Sequence, residues 1–215
     1  MILGIETSGS LCSIGWYENE QTLLEYNLEE EQVHSKVLAD FFVKGMSKLS
    51  RSIGDISIAA IAIGPGSYTG LRIGMSFIKG LCYGSDIPIV GVSNFNVLAL
   101  QAINNKFPFL ALINANKGRA YYAKFENDAE NFTESGIIEI ENINRIASEQ
   151  YGIISDNHLG ITENKALLDN FSWVKTGHFK ANFLCEAANN KFKKYGTDNL
   201  NNLEPMYLQA FAGIL

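Results

Sequence analysis

The chain opens on a short apolar run, Ile2-Leu3-Gly4-Ile5, which breaks at Thr7-Ser8-Gly9-Ser10 and resumes as Leu11, Cys12, Ile14 and Trp16 before a polar stop at Glu18-Asn19-Glu20. Apolar runs bounded by turn residues predict a strand, a tight turn and a return strand. A third strand is predicted over Thr22 to Asn27. After Glu29-Glu30-Glu31 a helix is predicted from about Val33 to Leu49, its dipole complemented by the preceding acidic residues. The β-branched run Ser57 to Ile63 stops at Gly64-Pro65-Gly66. Beyond it, Leu71 to Tyr83 reads as a helix, Ile87 to Val92 as a strand and Asn94 to Ile103 as a helix.

Polar residues Asn104-Asn105-Lys106 then mark a boundary, giving a first lobe at 1–104 and a second at 105–215. The second lobe opens like the first: Leu110 to Asn127 overlies Ile2 to Asn19 at a constant offset of 108, with Ile113 meeting Ile5 and Glu126-Asn127 meeting Glu18-Asn19. The simplest account is a duplicated lobe, each copy opening with a hairpin; chance likeness between two hairpins is the alternative. Further strands are expected at Ile137 to Ile140, Ile153-Ile154 and Trp173-Val174, and helices at Asn142 to Glu149 and Ala181 to Lys193. The tail from Pro205 could pack as a strand or a helix, and it could pack back on the first lobe.

Two helices carry more apolar surface than one small lobe covers. Leu71, Ile73, Met75, Phe77, Ile78, Leu81, Cys82 and Tyr83 leave no clearly polar face on the later helix, and Val33, Val37, Leu38, Phe41, Phe42, Val43 and Met46 make a broad stripe on the earlier one. A helix apolar on every side is buried on every side. Either the lobe packs thickly or a partner covers the excess, at Leu38, Phe41, Phe42, Met75, Ile78 and Tyr83.

Composition narrows the classes. With 215 residues, 47% hydrophobic and 19% charged, the chain can bury a core, and no window approaches the roughly 20 apolar residues of a membrane span. The start lacks a basic region before its apolar run, so it reads as a strand rather than an export signal, and a cytoplasmic protein is expected. A net charge of -6 argues against a standalone nucleic-acid binder. Cys12, Cys82 and Cys185 form no Cys-x-x-Cys pair and are expected to be reduced and inert.

Candidate chemistry is confined to the turns. Thr7 and Ser8 lie at the end of a buried strand, where hydroxyls and amides could hold a phosphate or simply make a Ser/Gly turn. A carboxylate there could hold Mg²⁺ through water, although Glu6 reads rather as a solvated turn residue. Gly64, Gly66, Ser67 and Gly70 form a loop before a helix N-terminus, without the Lys-Ser or Lys-Thr of a Walker loop. His34, His158 and His178 are isolated, so no metal site is predicted, and no Gly-x-Ser-x-Gly elbow or catalytic set is present.

The eleven-residue string Gly64-Pro-Gly-Ser-Tyr-Thr-Gly-Leu-Arg-Ile-Gly74 resembles that of the TsaB (YeaZ) family, non-catalytic subunits of the bacterial machinery that installs threonylcarbamoyladenosine in tRNA. Ile2 to Ser8, His34-Ser35, Pro88 to Ser93 and Asn114 to Tyr121 are similar to family positions as well, strongly in the first lobe and thinly in the second. The resemblance implies a two-lobed α/β fold of the actin, sugar-kinase and chaperone-ATPase type, with ribonuclease H-like lobes of mixed sheets. It implies vestigial phosphate loops at Thr7, Ser8, Gly64, Gly66, Ser67 and Gly70, with no catalytic residue, no metal and no tightly bound cofactor. The metal-binding His pair of the catalytic relative TsaD would fall at Asn94 and Leu98. The implied partners are TsaD, which would hold ATP or ADP and the metal, TsaE, tRNA indirectly, and a second copy of the chain when alone. Glu6 replaces the family's usual Asp, Asn114 the Asp that often opens the second hairpin, and Gln209 an Arg, all of which weaken nucleotide binding by this chain. The competing readings are a metallo-glycoprotease-like peptidase and a small ATP-dependent kinase-like enzyme.

Overall fold

The computed structural model describes residues 1–30, 34–102, 104, 107–147, 149–156 and 170–208. The chain divides into two units. The first comprises Met1–Val97 with Phe179–Pro205; the second covers Leu98–His178 and the described residues after Pro205. A cut after residue 104 would separate the helix Ala181–Tyr195 from the first sheet, on which it packs. Residues 103, 105 and 106 at that cut lie outside the described residues.

In the first unit the strands are β1 (Ile2–Glu6), β2 (Leu11–Glu18), β3 (Gln21–Glu29), β4 (Ile58–Gly64) and β5 (Ile89–Ser93), in the order β3-β2-β1-β4-β5. β1 and β2 pair antiparallel, as do β2 and β3, while β1 runs parallel to β4 and β4 to β5. The helices are α1 (His34–Lys48), α2 (Tyr68–Ser85), α3 (Asn94–Gln101) and α4 (Ala181–Tyr195); the last four residues of α3 belong to the second unit. Val33, the expected start of α1, lies outside the described residues.

The two-residue period of a strand sorts the residues between two helical layers. Leu3, Ile5, Cys12, Ile14, Trp16, Ala59 and Ile61 share a core with Leu38 and Met46 of α1 and Met75, Ile78 and Cys82 of α2. The intervening positions are small. A side chain at Gly4 would strike Cys185 and Ala181 of α4, and one at Gly15 would crowd Ala181, so α4 seats directly on the opposite face. Ser13, buried on that face, accepts the Ala181 N–H through Oγ at 2.8 Å and so satisfies an amide at the start of α4. Ser13→Ala is expected to lower stability by about 1 kcal/mol in urea unfolding, since the amide would be left buried without a partner.

The second unit repeats the plan. β6 (Phe109–Asn114), β7 (Arg119–Phe125), β8 (Glu134–Glu139), β9 (Gly152–Asp156) and β10 (Trp173–Gly177) lie in the order β10-β9-β6-β7-β8. Written from the other edge this is β8-β7-β6-β9-β10, the first sheet's order with each strand advanced by five. The pairings match too: antiparallel across β6–β7 and β7–β8, parallel across β6–β9 and β9–β10. The fold is therefore the duplicated, mixed-sheet α/β architecture expected from the hairpin repeat.

One face of the second sheet packs Leu110, Leu112, Ala120, Tyr122 and Ile153 against Ile143 and Phe171. On the other, Phe109 stacks on Phe125 at 5.1 Å and meets Trp173 at 5.7 Å. The helix expected at Asn142 to Glu149 is instead a 3₁₀ helix over Ile140–Arg145. Ile140, Ile143 and Ile146 explain the difference, for a spacing of three puts all of them on one face of a 3₁₀ helix but drifts on an α-helix. Pro205 to Leu208 carry no regular structure, and Gln209 onward lie outside the described residues.

Candidate functional site

β1 and β4 are parallel neighbours, so their C-terminal ends deliver the Thr7–Ser10 turn and the Gly64–Ser67 loop side by side. In an open α/β sheet this edge is the customary ligand position. Here the two loops close on each other. Ser67 N–H donates to the Ser8 carbonyl at 2.7 Å, and Thr7 Oγ1 donates to the Gly70 carbonyl at 2.7 Å. The Gly70 N–H donates to Ser67 Oγ at 3.2 Å, capping α2. The Gly64–Pro65 peptide bond is cis, Gly64 has φ +102°, and its carbonyl accepts from Ser93 Oγ at 3.2 Å.

Glycine permits this closeness. A Cβ on Gly66 would lie 2.8 Å from the Ser8 carbonyl oxygen, and one on Gly70 would overlap the Thr7 carbonyl oxygen outright. Gly64, Gly66, Ser67, Gly70, Thr7 and Ser8 are thus brought together at one junction, as partners of one another. Thr7 and Ser8 are 1% and 3% exposed, and the Thr7 hydroxyl and the Ser8, Ser67 and Gly70 amides are already engaged.

Glu6 corrects an expectation: it is 0% exposed rather than solvated. Every residue of β1 is buried, because the strand is central in its sheet and has a helix layer on each face. Glu6 Oε1 accepts from Ser8 Oγ at 2.6 Å and from the Ser8 N–H, while Oε2 has no partner. Burial is the main influence on the carboxyl and pushes it up to about 7, against the opposing hydrogen bonds from Ser8 and Gly9. Asn94, at the start of α3, donates through Nδ2 to Ser8 Oγ and to the Pro65 carbonyl, the latter at 2.8 Å. Leu98 is fully buried. The positions matching the catalytic relative's His pair therefore hold a knitting amide and a core aliphatic.

Among the described residues no group of three or more His, Cys, Asp and Glu is arranged to hold a metal. His34 Nε2 lies 3.2 Å from the Ser10 carbonyl. The backbone of His178 is clamped by Gln101, through Nε2 to its carbonyl at 2.9 Å and Oε1 from its amide at 3.2 Å. His158 lies outside the described residues. At the second hairpin the Asn114 N–H donates to Asp156 Oδ2 at 2.7 Å, a carboxylate at the end of β9 that the sequence reading did not single out.

The apolar candidates separate. Leu38, Met75 and Ile78 belong to the unit's own core, at 1%, 6% and 0% exposure. Phe41 is half-buried against Tyr26 at 5.4 Å, and Phe42 against Phe77 of α2 at 5.9 Å. Tyr83 is 81% exposed, and Val43, not among the candidates, is 63% exposed. Each stands five residues after a buried anchor, Leu38 or Ile78, and so about 140° around its helix. That offset is readable in the sequence. Beside these helices lies an open groove of about 540 Å³, whose lining includes Ser35, Leu38, Ile73 and Phe77, with Arg72 3.9 Å over the Tyr68 ring.

Comparison with known proteins fits this geometry. The family model for TsaD, tRNA N6-adenosine threonylcarbamoyltransferase, matches residues 29–198. The tRNA threonylcarbamoyladenosine biosynthesis protein TsaB of Escherichia coli is 30% identical over 129 residues, which cover 59% of this chain and 55% of that one. The chain thus spans little more than half the length of that relative. TsaB of Buchnera aphidicola subsp. Acyrthosiphon pisum is 25% identical over 228 residues, covering 97% of this chain and 98% of its own. YeaZ from Pseudomonas aeruginosa superposes with a TM-score of 0.80 at 17% identity, covering 96% of this chain and 99% of that structure, and so shares the fold. With its match to the TsaD model over most of its length and its TsaB relatives, the chain belongs to the TsaB (YeaZ) family.

Proposed function

We propose that this chain serves tRNA threonylcarbamoyladenosine biosynthesis as a subunit without catalytic residues of its own. It binds a TsaD-type transferase and, with TsaE, supports threonylcarbamoyl transfer to the adenosine next to the tRNA anticodon. The observation that carries this reading is the closed junction: the groups that would cradle a phosphate hold each other instead. ATP or ADP and the metal then belong to the partner, and tRNA meets the assembly rather than this acidic chain alone. The contribution is a coupling free energy, in which binding one surface of TsaD favours its active arrangement. The setting is the cytoplasm, and the free chain pairs with a second copy of itself.

Val43 of α1 and Tyr83 of α2 support such a contact, as these exposed apolar side chains gain most from being covered. The test is to mix the purified chain with the TsaD homologue of the same organism and follow association by light scattering and transfer to tRNA. Stable association that raises transfer is the expected result; no association and no effect would overturn the reading. Tyr83→Glu is expected to weaken association at least tenfold, or about 1.4 kcal/mol, with an unchanged circular dichroism spectrum. Titration calorimetry of the isolated chain with Mg-ATP addresses the kinase alternative, which tight stoichiometric binding would restore.

A further inference from the structure

Glu6 is a wholly buried carboxyl with no basic partner among the described residues, and one of its oxygens lacks any donor. Asn94 Oδ1 is buried and unpartnered in the same way. Both side chains bond the Ser8 hydroxyl, which donates to Glu6 and accepts from Asn94. Among the described residues the groups that bond Glu6 are neutral, and His34 of α1 lies against the Ser10 carbonyl of the same turn. The turn offers Thr7, Ser8 and Gly9; β2 offers Ser13, the register partner of Glu6, and the Cys12 thiol; the loop and α2 offer Pro65, Ser67 and Gly70; and α3 offers Asn94. The Cys12 thiol is itself pushed up to about 11, first by burial and then by Glu6, so it stays neutral.

A carboxylate ion in this setting is heavily penalised, because among the described residues neither a basic side chain nor a second set of donors replaces the lost water. A protonated carboxyl removes the charge and gives Oε2 a hydrogen to donate.

We propose that Glu6 is a proton-binding latch: it is neutral while the β1 turn is closed on the Gly-Pro-Gly loop, and losing its proton releases that turn from the start of α2. The latch uses the connections already present. Ser8 is held by Glu6, by Asn94 and, through its carbonyl, by Ser67, so a charge at Glu6 strains the node that ties β1 to the starts of α2 and α3.

The direction in pH follows from linkage. Burial raises the carboxyl from 4.5 to about 7 in the closed state. The closed state therefore binds the proton more tightly than an opened, solvated one. Closure is strongest below about pH 4.5, weakens about tenfold per unit as pH rises towards 7, and levels off above that, a total of about 300-fold.

The test is made on the full chain labelled with ¹³C at glutamate Cδ. It reads the Glu6 carbonyl shift against pH and the amide protection factors of Ser8, Ser67 and Gly70, corrected for intrinsic exchange. The expected result is a Glu6 midpoint near neutrality and protection that falls by roughly 150-fold from pH 4.5 to 8 in the wild type, and stays level in Glu6→Gln. A Glu6 Cδ already ionised at pH 5.5 would overturn the proposal, as would a neutral-range titration with no change in protection. If Glu6→Gln does not fold, the wild-type shift and protection profiles decide between these outcomes alone.

Discussion

Gly70→Ala is expected to lower the stability of the first unit by more than about 3 kcal/mol, placing one methyl among the most damaging changes the chain could suffer. The residue sits in the first turn of α2, where alanine is by itself the better helix former by about 1 kcal/mol. Geometry overrides that preference. The new carbon would occupy the space of the Thr7 carbonyl oxygen, and its next neighbours are Thr7 C and Ser8 Cα, all backbone that no rotamer change can move aside. Relief requires α2 to withdraw from the β1 turn. That breaks the Thr7 Oγ1 bond to Gly70 and the Ser67 amide bond to Ser8, both at 2.7 Å and both on buried or closely packed groups. Against a total stability of about 5–15 kcal/mol the loss is large, and urea unfolding followed by circular dichroism would read it as a much lower midpoint. Gly66→Ala is the milder companion, since its nearest contact, the Ser8 carbonyl oxygen, would lie at 2.8 Å rather than overlap outright.

The same loop shows how far the sequence carries. Its glycines announce a close approach, and the approach is real. What they meet is not readable, because the partner atoms come from Thr7 and Ser8, some sixty residues earlier. Glu6 fails for a related reason. A lone glutamate after an apolar run looks solvated, and only the placement of β1 between β2 and β4, with helices above and below, removes it from water.

The duplication was legible, since the alternating hairpin pattern recurs intact and strand order follows it. The core stripe of α1 and α2 was legible as apolar but not as inward or outward. Leu38, Met75 and Ile78 turned inward, while Tyr83 and the overlooked Val43 remained outside. The signal that separates them is angle rather than hydrophobicity.

That separation gives the second large effect, at Gly45 of α1. Gly→Ala inside a helix ordinarily stabilises by up to about 1 kcal/mol. A Cβ on Gly45, however, would fall inside the indole of Trp16, where three ring atoms lie closer than the 3.0 Å that real Cβ contacts reach. Trp16 is fully buried and its Nε1–H donates to Met46 Sδ at 3.1 Å, so the ring has no free direction in which to yield. Overpacking of this kind costs about 1–3 kcal/mol and outweighs the propensity gain; Gly45→Ala is expected to destabilise the chain by about 2 kcal/mol. Gly80 of α2 supplies the opposite sign, for nothing lies within 4 Å of its would-be Cβ. Gly80→Ala is expected to stabilise the free chain by up to about 1 kcal/mol in urea unfolding. If α2 is the helix on which a partner packs closely, the same methyl weakens association in light scattering. A surface glycine that stabilises the monomer and harms the complex when replaced marks a docking face; one that stabilises both marks an ordinary exposed helix and would leave the partner to another surface.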